Sequence, residues 1–169
     1  DSLLDFFHEI ERSDAEFVIY DDGLRRRSFS YRQIGQLARA FAARLRAHGI
    51  ERQAKVIVWG ENRAEWLVAF WGCLLEGVVI VPIDYRASAS LLYTVSRIVD
   101  AKAIVVGEEV HLPPLEDEIE VWHLADLASG ATTSIPPGAE RAVDRSDVAE
   151  VIFTSGATES NNLAITGLL

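Results

Sequence analysis

The sequence predicts an α/β protein: a doubly wound, mostly parallel sheet flanked by helices. Three observations predict it. Helix-period and strand-period segments alternate along most of the chain, and parallel strands with helical crossovers are the natural packing of that order. The strand segments 55–59 and 78–83 are continuous apolar runs, as expected of strands covered on both faces. The chain has 169 residues, 49% hydrophobic and 25% charged. A chain of that size buries roughly 68–70% of its unfolded surface, enough for one domain with a real core.

In chain order, residues 3–12 set Leu3, Phe6, Phe7 and Ile10 on one side of a short amphipathic helix. Residues 16–20 read as a strand, Asp21-Asp22-Gly23 as a turn, and 27–31 as the returning arm of a hairpin. Ser30 and Gln33 have the spacing of a capping box. They open a helix on which Ile34, Leu37, Ala38, Phe41, Ala42 and Leu45 recur at helical period until Gly49 closes it. After strand 55–59 and Gly60, Asn62 with Glu65 three residues on predicts the cap of the next helix. That helix, 63–76, is apolar nearly all round, so cover from later chain is expected, and a truncated piece would self-associate. Gly77 stops it and strand 78–83 follows. Residues 90–100 predict a helix and 103–106 a strand. Residues 108–120 carry six acidic side chains around Pro113-Pro114 and read as a solvated loop, with a short strand at 119–122. Residues 129–147 are loop-like, 150–154 form a last strand, and 154–162 a polar loop.

Basic and acidic residues number 16 and 26, a formal net charge of −10. That balance argues against a protein whose main task is holding nucleic acid or an anionic membrane by charge. A single cysteine, Cys73, excludes an intrachain disulfide and a cysteine-based zinc site. The longest apolar stretch, 66–82, is broken by Glu76 and falls short of the ~20 clean residues of a bilayer span. The acidic amino end is no signal peptide, and a cytoplasmic protein is expected. Methionine is absent even at position 1, and the chain stops at Gly167-Leu168-Leu169, so a trimmed piece of a longer protein is expected. His8, His48, His111 and His123 show no metal-ligand spacing. Cys73 reads as a buried inert thiol, Arg25-Arg26-Arg27 as an exposed turn, and Asp84 with Tyr85 as a strand-end cap.

In doubly wound sheets, ligands bind beyond the carboxyl ends of the strands. Three segments are expected there: Gly60-Glu61-Asn62, Ile83-Asp84-Tyr85 and Thr154-Ser155-Gly156. The third carries the chemistry. From Val151 to Thr158 a buried β-branched strand runs into a turn of hydroxyls and glycine. Backbone N–H groups and hydroxyls in such a turn form a concave anion site, and glycine allows close approach. A Ser/Thr-rich exit loop with no ligand is the other reading of the same residues. The chain has no Walker-type loop, no dinucleotide fingerprint and no Gly-x-Ser-x-Gly elbow.

Three segments together resemble a known family. Phe29-Ser30-Tyr31-Arg32-Gln33-Ile34 is similar to a Thr-Tyr-x-Glu-Leu helix entry. Leu75 to Asp84 is similar to a Gly-x-x-x-x-Pro-Leu/Ile-Asp stretch. Phe153 to Thr158 is similar to the opening of Tyr/Phe-Thr-Ser-Gly-Ser/Thr-Thr-Gly-x-Pro-Lys-Gly. In this order they resemble the N-terminal third of the adenylate-forming superfamily: acyl-CoA synthetases, aryl-CoA ligases, luciferases and nonribosomal peptide adenylation domains. The resemblance implies that Thr154, Ser155, Gly156 and Thr158 hold the β- and γ-phosphates of ATP. It also implies Mg2+, a small carboxylic acid as substrate and CoA as likely co-substrate, and it places no catalytic residue within these 169 positions. An acyl-CoA synthetase or ligase is the leading expectation for the parent protein, the chain alone being catalytically incomplete. A stand-alone α/β binding or interaction module with a degenerate loop is the alternative.

Beyond Thr158 the pattern departs. Ala157 replaces a hydroxyl residue, and Glu159, Asn161, Asn162 and Leu163 stand where glycine, proline, lysine and glycine are expected. A glutamate beside polyphosphate repels it, and the loop lacks its cation. Residues 1–158 are therefore expected to form the N-terminal subdomain of an AMP-binding domain, and 159–169 a divergent, non-native tail.

Overall fold

The computed structural model describes residues 2–21, 26–115, 119–129, 133–153 and, as backbone, 163–168. Ser2 opens α1 (Leu3–Ile10) with a reciprocal capping box, its hydroxyl accepting the Asp5 N–H while Asp5 accepts the Ser2 N–H. Strands β1 (Glu16–Asp21) and β2 (Arg26–Ser30) form a separate antiparallel hairpin. Its turn, with Gly23 and Arg25, lies outside the described residues. Ser30 then opens α2 (Tyr31–Ala47) through the predicted box: the Gln33 N–H donates to the Ser30 hydroxyl at 3.2 Å, and the Ser30 N–H donates to the Gln33 side chain at 2.8 Å.

The remaining strands build one sheet. They are β3 (Lys55–Gly60), β4 (Val79–Asp84), β5 (Ala101–Val106), β6 (Glu120–His123), β7 (Val148–Phe153) and β8 (Leu163–Leu168). Their spatial order is β6-β5-β3-β4-β7-β8, parallel throughout except that β8 runs antiparallel to β7. Helix α3 (Ala64–Leu75) links β3 to β4, and α4 (Ala89–Val99) carries the chain from β4 back across to β5. Alternate strand residues feed two cores. Val56, Val58, Ile80, Ala103 and Val105 pack with α1, α2, α3 and the 3-10 helix Leu124–Ala128. Ile57, Trp59, Val81, Ile104 and Val106 pack with Leu92, Val95 and Val99 of α4. A fully buried Leu or Val of this kind contributes about 1.5–3 kcal/mol. The doubly wound fold is the one expected.

The structure differs from the sequence-based expectation at several places. Asn62 is not the cap of α3; the cap position falls to Arg63, which makes no side-chain cap bond. The expected reciprocal partner, Glu65, instead accepts the Tyr20 hydroxyl at 3.3 Å. Helix α4 starts one residue early, because the Ser88 hydroxyl accepts the Leu91 N–H. The acidic loop after β5 is not wholly solvated: Val110, Leu112, Leu115 and Ile119 pack against the α4 core. Cover for α3 comes from the earlier helices α1 and α2 as well as from later chain, the 3-10 helix, and Trp66, Leu67 and Phe70 stay partly buried. Residues 163–168 form a strand where none was expected.

The segment before β7 is irregular, as expected. Its residues 133–147 are nevertheless strapped to the helices. The Ile135 N–H donates to the Arg39 carbonyl, the Arg39 guanidinium to Glu140 at 2.6 Å, and the Arg46 guanidinium to the Ala139 carbonyl at 2.8 Å. Arg141 returns the contact, reaching Glu76 at 3.0 Å and the Ile50 carbonyl at 2.8 Å. Arginine suits this work, since its planar fork serves two acceptors at once.

Candidate functional site

The parallel order brings the carboxyl ends of β3, β4, β5 and β7 to one edge of the sheet. Connections leave β3 and β4 over opposite faces, the arrangement at which doubly wound folds bind ligands. Two of the three expected segments can be described there, Gly60-Glu61-Asn62 and Ile83-Asp84-Tyr85. Gly60 lies opposite Asp84 in the β3–β4 register, and the Trp59 indole donates to the Asp84 carbonyl at 3.2 Å.

The first segment is closed by its own residues. The Glu61 carboxylate accepts the Glu108 N–H at 3.2 Å, the Glu109 N–H at 3.4 Å and an Arg63 guanidinium N–H at 3.3 Å. It thus occupies the anion nest made by the turn after β5. Gly107 permits this, since a Cβ there would collide with the Glu61 carboxylate and come within 2.7 Å of the Gly60 Cα. Burial pushes the Glu61 carboxyl up, but the backbone donors outweigh it and the net shift is downward. Arg63 also pairs with Glu108, lies 3.6 Å from Glu65 and sits over the Tyr20 ring, 5.8 Å from its centroid. Sequence reasoning misses this nest; its signal is a glycine ending each of two apolar strand runs, at Gly60 and Gly107.

The second segment is a local cap, as expected. Asp84 Oδ1 accepts the Arg86 backbone N–H at 2.8 Å and its Nε at 3.0 Å, and Oδ2 accepts a terminal guanidinium N–H at 2.7 Å. These bonds, the Arg86 side chain foremost, lower the Asp84 pKa to about 2. The Arg86 guanidinium also lies over the Tyr85 ring.

Both of these segments are engaged by their own residues. Strand β7 delivers Phe153 beside β4 at the same edge. Thr154, Ser155, Gly156 and Thr158, and the departures from Glu159 to Asn162, lie outside the described residues. Among the described residues, no group of three His, Cys, Asp or Glu could hold a metal ion, and no helix is long and apolar enough to cross a membrane. Cys73 is buried in α3, and burial pushes its thiol pKa far up.

This arrangement matches known proteins. Over 137 residues the chain is 36% identical to pyochelin synthetase PchF of Pseudomonas aeruginosa, covering 78% of this chain and 7% of that protein. Over 157 residues it is 33% identical to phenyloxazoline synthase MbtB of Mycolicibacterium paratuberculosis, covering 90% of this chain and 12% of that one. Over another 157-residue match it is 24% identical to the nonribosomal peptide synthetase sirP of Leptosphaeria maculans, covering 90% and 7%. The chain therefore spans a small fraction of the curated relatives it matches. Its fold superposes on the N-terminal subdomain of Klebsiella oxytoca NpsA with a TM-score of 0.76 at 21% identity, covering 93% of this chain and 39% of that one. It also superposes on the O-succinylbenzoate coenzyme A synthetase MenE of Bacillus subtilis with a TM-score of 0.73 at 19% identity, covering 92% and 39%. The family model described as AMP-binding enzyme matches residues 7–158, from α1 through β7 into the hydroxyl loop. A match of that extent, on a sheet wound as this one is, leads to a plain conclusion: the chain belongs to the AMP-binding family of adenylate-forming enzymes.

Proposed function

We propose that the chain is the amino-terminal part of an adenylation domain of the peptide-synthetase type. In this reading a carboxylate oxygen of an amino or aryl acid attacks the α-phosphorus of ATP, and the bond to pyrophosphate breaks. The acyl adenylate then passes its acyl group to a thiol with release of AMP. Thr154, Ser155, Gly156 and Thr158 hold the β- and γ-phosphates, while Mg2+ offsets their charge. Positioning and charge neutralisation are the main contributions a protein makes to such chemistry. The observation that carries the reading is the identity to pyochelin synthetase PchF, with the peptide synthetase sirP among the other relatives. It favours a carrier-protein thiol as acceptor over CoA, the acceptor first expected from sequence. The likeness to a coenzyme A synthetase lies in the fold alone.

A second reading, a stand-alone binding module, rests on Glu159 and Asn162, which put a negative charge where the family has glycine and remove its lysine. ATP–pyrophosphate exchange by the full-length protein tests both. Exchange stimulated by an amino or aryl acid, with loading of a carrier protein, supports the proposal. Thioester formation with free CoA overturns the acceptor assignment. Failure of every amino, aryl and fatty acid to stimulate exchange overturns the enzyme reading in favour of the module. In the active enzyme, Thr154→Val is expected to raise the KM for ATP and leave the KM for the acid nearly unchanged.

A further inference from the structure

Gln53 has a φ of 63°, a left-handed conformation that residues with a Cβ seldom adopt and that persists only where the surroundings over-determine it. The surroundings here are the start of β7. The Gln53 side-chain oxygen accepts the Val148 N–H at 3.2 Å, and the side-chain nitrogen donates to the Val148 carbonyl at 3.1 Å. One amide side chain thus presents to Val148 the donor and acceptor that a neighbouring strand residue would present. The same nitrogen donates to the Gly77 carbonyl at 3.3 Å, and the Gln53 backbone N–H donates to that carbonyl at 2.7 Å. Beside it, the Arg52 fork closes on both oxygens of Asp147, the residue before β7, with Nε at 2.8 Å from Oδ2. Asp147 Oδ2 also accepts the Asp144 N–H at 2.9 Å.

β7 needs such a device. Its sequence, Val-Ala-Glu-Val-Ile-Phe, has apolar residues on both parities, with Ala149 and Val151 buried and Val148, Ile152 and Phe153 partly buried. Hydrophobic pattern therefore distinguishes poorly between registers one residue apart, yet such a slip would turn every side chain to the opposite face. Among the described residues, Ile80 opposite Glu150 is the registered pair between β4 and β7. The Gln53 clamp lies two residues before that pair.

We propose that Gln53 is a positioning residue: its bidentate bond to Val148 sets the register of β7 and so the placement of the strand end from which residues 154–158 depart. Clamp and strand end are about 16 Å apart along the strand, so the action runs through β7 itself. The functional consequence rests on the adenylation reading above; the effect on register does not.

Amide hydrogen exchange on the full-length protein, read at peptides of this region, tests the register claim. Gln53→Gly removes the side chain and accepts the positive φ; Gln53→Asn tolerates that φ but is one methylene too short to reach Val148. Both are expected to raise exchange at Val148 and along β7 at least tenfold, while β3 and β5 amides such as Ile57 and Ile104 keep their protection. If Gln53 merely fills a turn, Gln53→Gly relieves the backbone and leaves β7 protection unchanged, and that result overturns the proposal. In the full-length protein, both variants are expected to raise the KM for ATP at least fivefold with the KM for the acid little changed. Wild-type protein without exchange activity would sink the adenylation reading while leaving the hydrogen-exchange result to decide the clamp.

Discussion

The Arg46 guanidinium closes on the carboxylate of Glu76 at 2.6 Å, and that carboxylate has no exposed surface. Glu76 follows α3 directly, and Arg141 of the strap reaches its other side at 3.0 Å. A buried charge of this kind depends on its partners more than it stabilises by itself. Arg46→Met is expected to cost about 1–3 kcal/mol, because it removes charged hydrogen bonds to a buried carboxylate that keeps only Arg141. The double variant R46M/E76M should lose less than R46M alone, since the orphaned charge is gone. Urea unfolding of the three proteins checks both statements.

Arg39 plays the corresponding part for α1. Its fork donates to both oxygens of Glu11 at 2.8 Å and to Glu140 at 2.6 Å, with the His8 ring 3.4 Å away. Burial pushes the Glu11 and Glu140 carboxyls up. For Glu11 the hydrogen bonds from Arg39 and His8 outweigh it, and for Glu140 those from its own backbone and Arg39 do, so both end below the ordinary glutamate value. A carboxyl lowered in the folded state contributes stability that is complete above its unfolded value and is lost as pH falls through the folded one. Stability should therefore decline as pH drops below about 4.3, the ordinary glutamate value. Arg39→Met should be less stable at pH 7 and show a shallower acid decline. Melting temperatures from pH 7 to pH 3 measure this.

Glycine in a helix interior ordinarily gives way to alanine with a gain near ~1 kcal/mol. Gly72 of α3 reverses that expectation. A Cβ there would lie 2.7 Å from the Phe41 ring and 3.0 Å from the Ala38 carbonyl, both on α2. Overpacking of this kind costs about 1–3 kcal/mol, so Gly72→Ala should destabilise on balance. A higher melting temperature in that variant would show that α2 and α3 can separate without loss.

Cys73 is fully buried, and burial alone drives its thiol pKa up. The thiolate is the reactive form, so the native thiol should be nearly inert to a disulfide reagent at pH 8. Labelling should proceed at the rate of unfolding and become fast in urea. Rapid labelling of the folded chain would contradict the closed packing of α3.

Much of the fold is legible in the sequence because its determinants are short-range. The Ser30–Gln33 box joins residues three apart, and the apolar runs of β3 and β4 announce strands covered on both faces. The contiguous hydroxyl motif after β7 is read in the sequence alone, and it lies outside the described residues. Its neighbours are less legible. Asn62 has the local spacing of a cap, but Glu65 finds Tyr20, 45 positions away, and the box does not form. The sequence has 14 arginines against two lysines, and that bias gains a structural reading only where a fork is seen on its acceptor, as for Arg39, Arg46 and Arg52.

By itself the sequence determined the order of most elements, the doubly wound class and the family resemblance. All of these follow from periodicity, from contiguous motifs and from hydrogen bonds between near neighbours. Only the tertiary structure decided which distant carboxylates the arginines hold, that the segment before β7 is a strap, that Glu61 fills its own nest, and that Gln53 grips Val148. Arg39 and Glu11 are 28 positions apart, Glu61 and Glu108 47, Gln53 and Val148 95, and Arg39 and Glu140 101. Chain separation of that size leaves no periodic trace, because the partner is selected by proximity after the sheet and helices have packed.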